Sequence, residues 1–157
     1  MTLSEAIGTI ETIFLDTAPV IYFIEAHDQF GPLVKQVVEL MDKNRIQAFT
    51  SVLTLAEVLP KPMETGNEEL AEKFKTYLKN GQNLTLLPIT DNIGEGAGVL
   101  RGRYPHLKTM DAVQIAAALD AEAEAFLTND KKLSGIKEIK IIVLSDYLDD
   151  TRGSDRI

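Results

Sequence analysis

No cysteine occurs among the 157 residues. Disulfides and thiolate-ligated zinc are therefore excluded, and a reducing compartment is permitted. Only two histidines are present, His27 and His106, so a metal site built on imidazole lacks its ligands. Long hydrophobic runs are missing too. The longest uncharged apolar stretch, 18–24, is far too short to span a bilayer. Residues 1–13 carry Glu5 and Glu11 but no Lys or Arg, and so lack the positive start of a secretory signal. These absences predict a soluble cytoplasmic protein with no membrane partner. Positive charge is also scarce, with 16 Lys+Arg against 24 Asp+Glu and a net charge of −8. That excludes a generic nucleic-acid coat, which is basic overall. It leaves room for an enzyme that gathers carboxylates around metal ions.

What is present is an ordinary globular balance, 45% hydrophobic and 25% charged. The length predicts one domain over 1–150, with a flexible polar tail over 151–157. Short β-branched or apolar runs at 12–15, 46–49, 84–89, 125–127 and 139–144 read as strands. Between them lie helical segments. One starts at Thr17 and runs to about Ala26. A second opens at Gly31-Pro32 with Leu33, Val37, Leu40 and Met41 on one face. A third is capped by Ser51 and stopped by Pro60 and Pro62. A fourth covers 67–80 and ends at Gly81. Residues from Asp91 read as a helix weakened by Gly94, Gly96, Gly98 and Gly102, and Thr109 is expected to cap an Ala-rich helix to about Ala121. Strands alternating with helices predict an α/β layered fold around a mostly parallel sheet of about five short strands. Ligands of such sheets sit beyond the carboxyl ends of the strands.

Four acids stand out against their surroundings. Asp16 closes the first strand, and Asp130 follows the fourth. Glu57 is the only charge between Ser51 and Pro60. Asp111 lies in the first turn of the apolar helix. Each has a plain structural role open to it: a cap for Asp16, a solvated face for Glu57, a favourable helix start for Asp111, a turn for Asp130. Together they point elsewhere, because an unpaired charge on an apolar helix is costly. Oxygen-only clusters of this kind hold Mg²⁺ or Mn²⁺, ions that serve phosphodiester hydrolysis.

The runs Phe14-Leu15-Asp16-Thr17-Ala18, Thr54-Leu55-Ala56-Glu57-Val58-Leu59, Lys108-Thr109-Met110-Asp111-Ala112-Val113-Gln114-Ile115-Ala116-Ala117-Ala118 and Phe126-Leu127-Thr128-Asn129-Asp130 resemble, in order and spacing, the motifs of PIN-domain proteins. The likeness is greatest to VapC-type toxin ribonucleases and covers roughly 13–145. It implies a PIN-like α/β/α sandwich and an Mg²⁺- or Mn²⁺-dependent endoribonuclease, the toxin of a type II toxin–antitoxin system. The family's acidic residues map onto Asp16, Glu57, Asp111 and Asp130 as catalytic and metal ligands. Many relatives carry Pro before the third acid, where this chain has Met110, a departure outside the chemistry. RNA as substrate, a cognate antitoxin and a homodimer are likewise implied by the resemblance.

Neighbouring residues are candidates for supporting roles. Thr17, Thr128 and Asn129 adjoin the acids and can orient a carboxylate or a water, or simply cap and turn the backbone. Arg101, Arg103, His106 and Lys108 form the densest basic stretch, suited to RNA phosphates or to a solvated helix end. Lys131 and Lys132 share that ambiguity. Ile21, Tyr22, Phe23 and Ile24 serve either the core or an interface. The glycines at 94, 96 and 98 follow no strand-to-helix turn and are not a dinucleotide fingerprint. Two other functions compete. One is a non-catalytic PIN-fold interaction module, disfavoured by the four acids. The other is a metal-dependent phosphatase with Asp16 as nucleophile, disfavoured by Ala18 where a second Asp would stand.

Overall fold

The strand Thr12–Leu15 (β1) is buried on both faces and occupies the middle of the sheet in the computed structural model, which describes residues 1–149. The expected tail at 151–157 lies outside the described residues. Side chains alternate across a strand. Ile13 and Leu15 therefore enter one apolar layer while Phe14 enters the other. The strand Ala125–Thr128 (β4) repeats the pattern beside it, in parallel register, with Ala125 and Leu127 on the first face and Phe126 on the second. Phe14 and Phe126 consequently stack at 5.3 Å.

The other strands are Gln47–Ser51 (β2), Leu84–Leu87 (β3) and Lys140–Val143 (β5). All pairings are parallel and the order is β3-β2-β1-β4-β5. The chain builds outward from β1 to β3, then returns to place β4 on the other side of β1. That reversal leaves a crevice beyond the carboxyl ends of β1 and β4, where ligands of open α/β sheets bind.

Helices cover both faces. The short helix Leu3–Ile7 (α1), which the sequence reading did not anticipate, is closed by a reciprocal Thr2–Glu5 capping box. It packs with Thr17–Ile24 (α2), Gly31–Asp42 (α3), Val52–Val58 (α4) and Glu68–Asn80 (α6) over one face; the small helix Pro60–Glu64 (α5) joins α4 to α6. Asp91–Arg103 (α7) and Thr109–Asp120 (α8) cover the other face. The result is an α/β/α sandwich.

Several expected boundaries move for identifiable reasons. Helix α2 stops at Ile24 because Ala26 takes a left-handed φ of 51° that turns the chain toward α3. Pro60 does end α4, but it also starts α5 at a first-turn position, where its missing N–H costs nothing. Thr109 is the first helical residue rather than the cap, a place taken by Lys108 without a side-chain hydrogen bond. Helix α7 is continuous despite its glycines, since Ile93, Ala97 and Leu100 bury one stripe. Gly96 faces α8, where an added Cβ would make an ordinary van der Waals contact of 3.5 Å with Ala116 Cβ, so the packing does not itself require glycine there. Among the described residues, no helix is long and apolar enough to cross a membrane.

Candidate functional site

Asp16 leaves the end of β1 and caps α2. Its Oδ1 accepts the Thr17 backbone N–H at 2.9 Å, and Oδ2 accepts the Thr128 hydroxyl at 2.8 Å. The Asp16 N–H in turn donates to the Leu127 carbonyl at 2.9 Å, fixing this turn against β4. Asp130 follows β4 and caps a 3₁₀ turn over Lys131–Gly135 by accepting the Lys132 N–H at 3.0 Å. Its own N–H donates to Thr128 Oγ1 at 3.1 Å. Thr128 thus links the two strand-end acids through one hydroxyl. Glu57 comes from α4 and Asp111 from the first turn of α8, on opposite sides of the sheet edge.

All four carboxylates line one cavity of about 370 Å³, together with Thr17, Thr128, Asn129 and Gln114. No Lys or Arg side chain lines it. The plain structural roles considered for the four acids coexist with the shared cavity: Asp16 and Asp130 cap the turns that follow them, Asp111 lies in the first turn of α8, and Glu57 is exposed to solvent.

The electrostatics follow from this arrangement. Burial pushes the Asp16 carboxyl up from 3.8 to about 6, and the charges of Asp111 and Glu57 add to the rise; the Thr17 N–H and Thr128 hydroxyl oppose it. Burial likewise raises Asp111, with Asp130 and Glu57 adding to it and Lys108 and Lys132 opposing. The acids therefore repel one another across a partly dry cleft, relieved at Asp111 by the nearby Lys108 and Lys132. Among the described residues, no three acidic or His side chains are close enough together, as placed, to hold a metal ion between them. The donor chemistry is oxygen-only and anionic, which fits a hard divalent cation and suits thiophilic or imidazole-seeking metals poorly.

A buried polar network underlies the acids, and the sequence reading missed most of it. Gln114 Nε2 donates to Thr54 Oγ1 at 2.8 Å, and the Ser51 hydroxyl donates to Gln114 Oε1 in a short contact. Thr54 Oγ1 also lies 2.9 Å from Thr50 Oγ1 and 3.3 Å from Thr17 Oγ1, and the Thr50 hydroxyl donates to the Leu15 carbonyl at 2.8 Å. All five side chains are buried. The available signal is Gln114 itself, a lone polar residue in an otherwise apolar, Ala-rich stretch, three positions after Asp111.

The remaining candidates divide. Asn129 ties the β4 end to two elements, donating to Tyr22 Oη at 3.0 Å and accepting the Ser145 N–H at 3.0 Å. Arg101 does not line either cavity near the acids. Its Nε donates to the Leu107 carbonyl at 3.3 Å and so braces the loop before α8. Arg103, His106, Lys108 and Lys132 line a second cavity, which shares Asp111 and Asp130 with the first. Ile21, Tyr22, Phe23 and Ile24 are all only partly buried, packed against the core at one edge.

Comparison with known proteins places this architecture. The chain is similar in fold to VapBC2 from Rickettsia felis bound to a DNA fragment from its promoter, with a TM-score of 0.68 at 20% identity, covering 84% of this chain and 98% of that one. It is similar to a toxin–antitoxin complex from Klebsiella pneumoniae, with a TM-score of 0.63, 21% identity, and coverage of 84% and 97%. It is also similar to VapC20 from Mycobacterium tuberculosis, a Sarcin-Ricin loop cleaving toxin, with a TM-score of 0.61, 17% identity, and coverage of 82% and 98%. No curated protein matches the sequence. The family model for the PIN domain matches residues 13–139, a span that contains the strand ends and helix turns carrying all four acids, and the chain belongs to the PIN-domain family.

Proposed function

We propose that the protein is an Mg²⁺- or Mn²⁺-dependent endoribonuclease and the toxin of a toxin–antitoxin pair. The observation that carries this reading is the convergence of four carboxylates, from four separate elements, on a cavity lined by no Lys or Arg at the switch point of a parallel sheet. A divalent ion bound there would supply Lewis acidity toward water and toward the phosphodiester oxygens. Asp16, Glu57, Asp111 and Asp130 are its ligands in this reading. Thr128 holds the strand-end pair in mutual register by donating to Asp16 and accepting from the Asp130 backbone. Thr17, through Thr54, couples the Asp16 turn to α4. Arg103 and Lys108 border the site and attract the phosphates of the substrate.

The fold neighbours that are toxin–antitoxin complexes support a cognate antitoxin as partner. RNA as substrate is supported by the description of VapC20 as a cleaving toxin. The homodimer is part of the same proposal, and light scattering at several concentrations tests it. The decisive assay incubates the purified protein with mixed RNAs in Mg²⁺, in Mn²⁺ and in EDTA. Internal cleavage with either ion, abolished by EDTA, is the expected result. Undiminished cleavage in EDTA, from a preparation free of other nucleases, overturns the metal mechanism. No cleavage with either ion favours the interaction-module reading.

A further inference from the structure

The second cavity beside the acids has a chemistry different from the first. Its volume is about 530 Å³, inside the range of about 300–1,000 Å³ usual for small-molecule sites. Tyr104, Leu107, Leu133 and Ile136 give it an apolar wall, and Arg103, Lys108 and Lys132 bring positive charge to it. The Tyr104 ring is held in place from behind: its hydroxyl donates to Glu138 Oε1 at 2.7 Å and accepts the Lys137 N–H at 3.2 Å. The ion pairs among the described residues lie on α6, between Lys73 and Glu69 and between Lys75 and Glu72. Arg103, Lys108 and Lys132 are therefore not held in ion pairs there. In a chain with a net charge of −8, such a gathering beside the carboxylates is local, not a consequence of composition. Because Asp111 and Asp130 border both cavities, whatever occupies the second lies directly against the metal-ligand set.

We infer that this cavity seats one unstacked nucleobase of the substrate, next to the phosphodiester that is cut, with Arg103, Lys108 and Lys132 on the flanking phosphates. An aromatic and aliphatic wall with cations near the acids is the combination that single-stranded nucleic acid uses: stacking for the base and positive charge for the backbone. A wholly polar groove would hold phosphates alone, and a wholly apolar one would not attract an anionic chain. The inference rests on the nuclease reading and deepens it, by placing the nucleotide selectivity of the site in Tyr104, Leu107, Leu133 and Ile136 rather than in the acids.

Gly135 supplies a clean test. It lines the cavity, has no left-handed φ, and an added Cβ would meet no atom within 4 Å. Gly135→Leu therefore fills space in or beside the cavity without displacing the core. Single-stranded RNA of mixed sequence, carrying 4-thiouridine, is mixed with the full chain in Ca²⁺ and irradiated, and the adducts are mapped by mass spectrometry. Cleavage in Mn²⁺ and thermal melting are measured in parallel. Adducts are expected within 103–108 or 132–136. Gly135→Leu should lower their yield and weaken RNA binding roughly tenfold, the scale of one lost stacking contact, while melting stays at the wild-type temperature. Adducts that map elsewhere, with Gly135→Leu binding RNA as wild type does, overturn the base seat; wild-type cleavage in Mn²⁺ then shows that the nuclease reading survives it. A wild type that neither crosslinks nor cuts RNA sinks both.

Discussion

Gln114 and Thr54 are joined by a 2.8 Å hydrogen bond that bridges α8 and α4. Each stands three residues, about one helical turn, from an acid of the site: Gln114 from Asp111, Thr54 from Glu57. Together with the Ser51–Gln114 bond at the start of α4, this bond ties together the two helices that carry those carboxylates. Gln114→Leu removes both the donor to Thr54 and the acceptor for Ser51. Leaving buried polar groups unpaired costs about 1–3 kcal/mol each, so the variant should melt several degrees lower. Under the proposed function its RNA cleavage should fall, while its RNA affinity, which that reading assigns to the basic rim, should change little. Thr54→Val should do the same. A double-mutant cycle should show coupling of about 0.5–3 kcal/mol, and strict additivity would assign the two residues independent roles.

Much of the candidate site is legible in the sequence. The acids betrayed themselves because each interrupted an apolar run, and Asp16 and Asp130 because strand ends are where open sheets bind ligands. Gln114 was less visible, since a single polar residue on a helix gives no sign of whether its face is buried. The structure settles that through its partners, Thr54 and Ser51 on the far side of the sheet edge. Ala26 shows a different limit. Its left-handed turn is set by the docking of α2 on α3, with the His27 N–H reaching back to the Tyr22 carbonyl at 2.9 Å, and no local propensity of alanine foretells it. The second cavity was invisible for a related reason: its walls come from separate stretches, 103–108 and 132–136, which only the fold brings together.

The basic stretch before α8 should separate into two functions. Arg101 braces the Leu107 carbonyl, whereas Arg103 and Lys108 line the second cavity. Arg103→Ala and Lys108→Ala should each weaken RNA binding and reduce its salt dependence by about one unit of slope per lost phosphate contact. Arg101→Ala should instead lower the melting temperature slightly and leave the slope intact. Binding titrations across a salt series decide between this division and a uniformly solvated stretch, for which none of the three slopes would move.

The raised carboxyl of Asp16 gives the metal-free protein an inverted pH response. Its value is about 6 in the folded chain against 3.8 ordinarily. Between those values the unfolded state has already released its proton and the folded state has not. Folding stability from this group is therefore full below about pH 4 and is lost as pH rises toward and through 6. A shift of this size corresponds to a loss on the order of 2–3 kcal/mol. Asp111 is raised as well and acts in the same direction. In EDTA, the wild type should lose stability between pH 4 and pH 7 relative to Asp16→Asn. A gap between the two melting curves that opens on acidification instead would contradict the sign. Added Mg²⁺ should narrow the gap at pH 7, because a bound cation favours the ionised form.

Asp111→Asn should exchange activity for stability. In the absence of metal Asp111 sits beside Asp130 and Glu57, whose charges add to the effect of burial in raising its carboxyl. The amide keeps the side-chain shape and removes one of the repelling charges. Without metal, the variant should therefore melt at or above the wild-type temperature. If Asp111 is a metal ligand as proposed, the variant should also lose most of any stabilisation that Mg²⁺ gives the wild type. With Mg²⁺ at about ten times its dissociation constant, linkage gives the wild type roughly 1.4 kcal/mol. For a domain of this length that is a melting shift of about 3–6 °C. Cleavage should fall by orders of magnitude, because the remaining acids hold the ion poorly and the phosphodiester loses its Lewis acid. Calorimetry in EDTA and in Mg²⁺, alongside an RNA cleavage assay, separates the possibilities. A variant that melts well below wild type in EDTA yet cuts RNA normally would make Asp111 a helix-start residue only, and the site would have to be rebuilt on the other three acids.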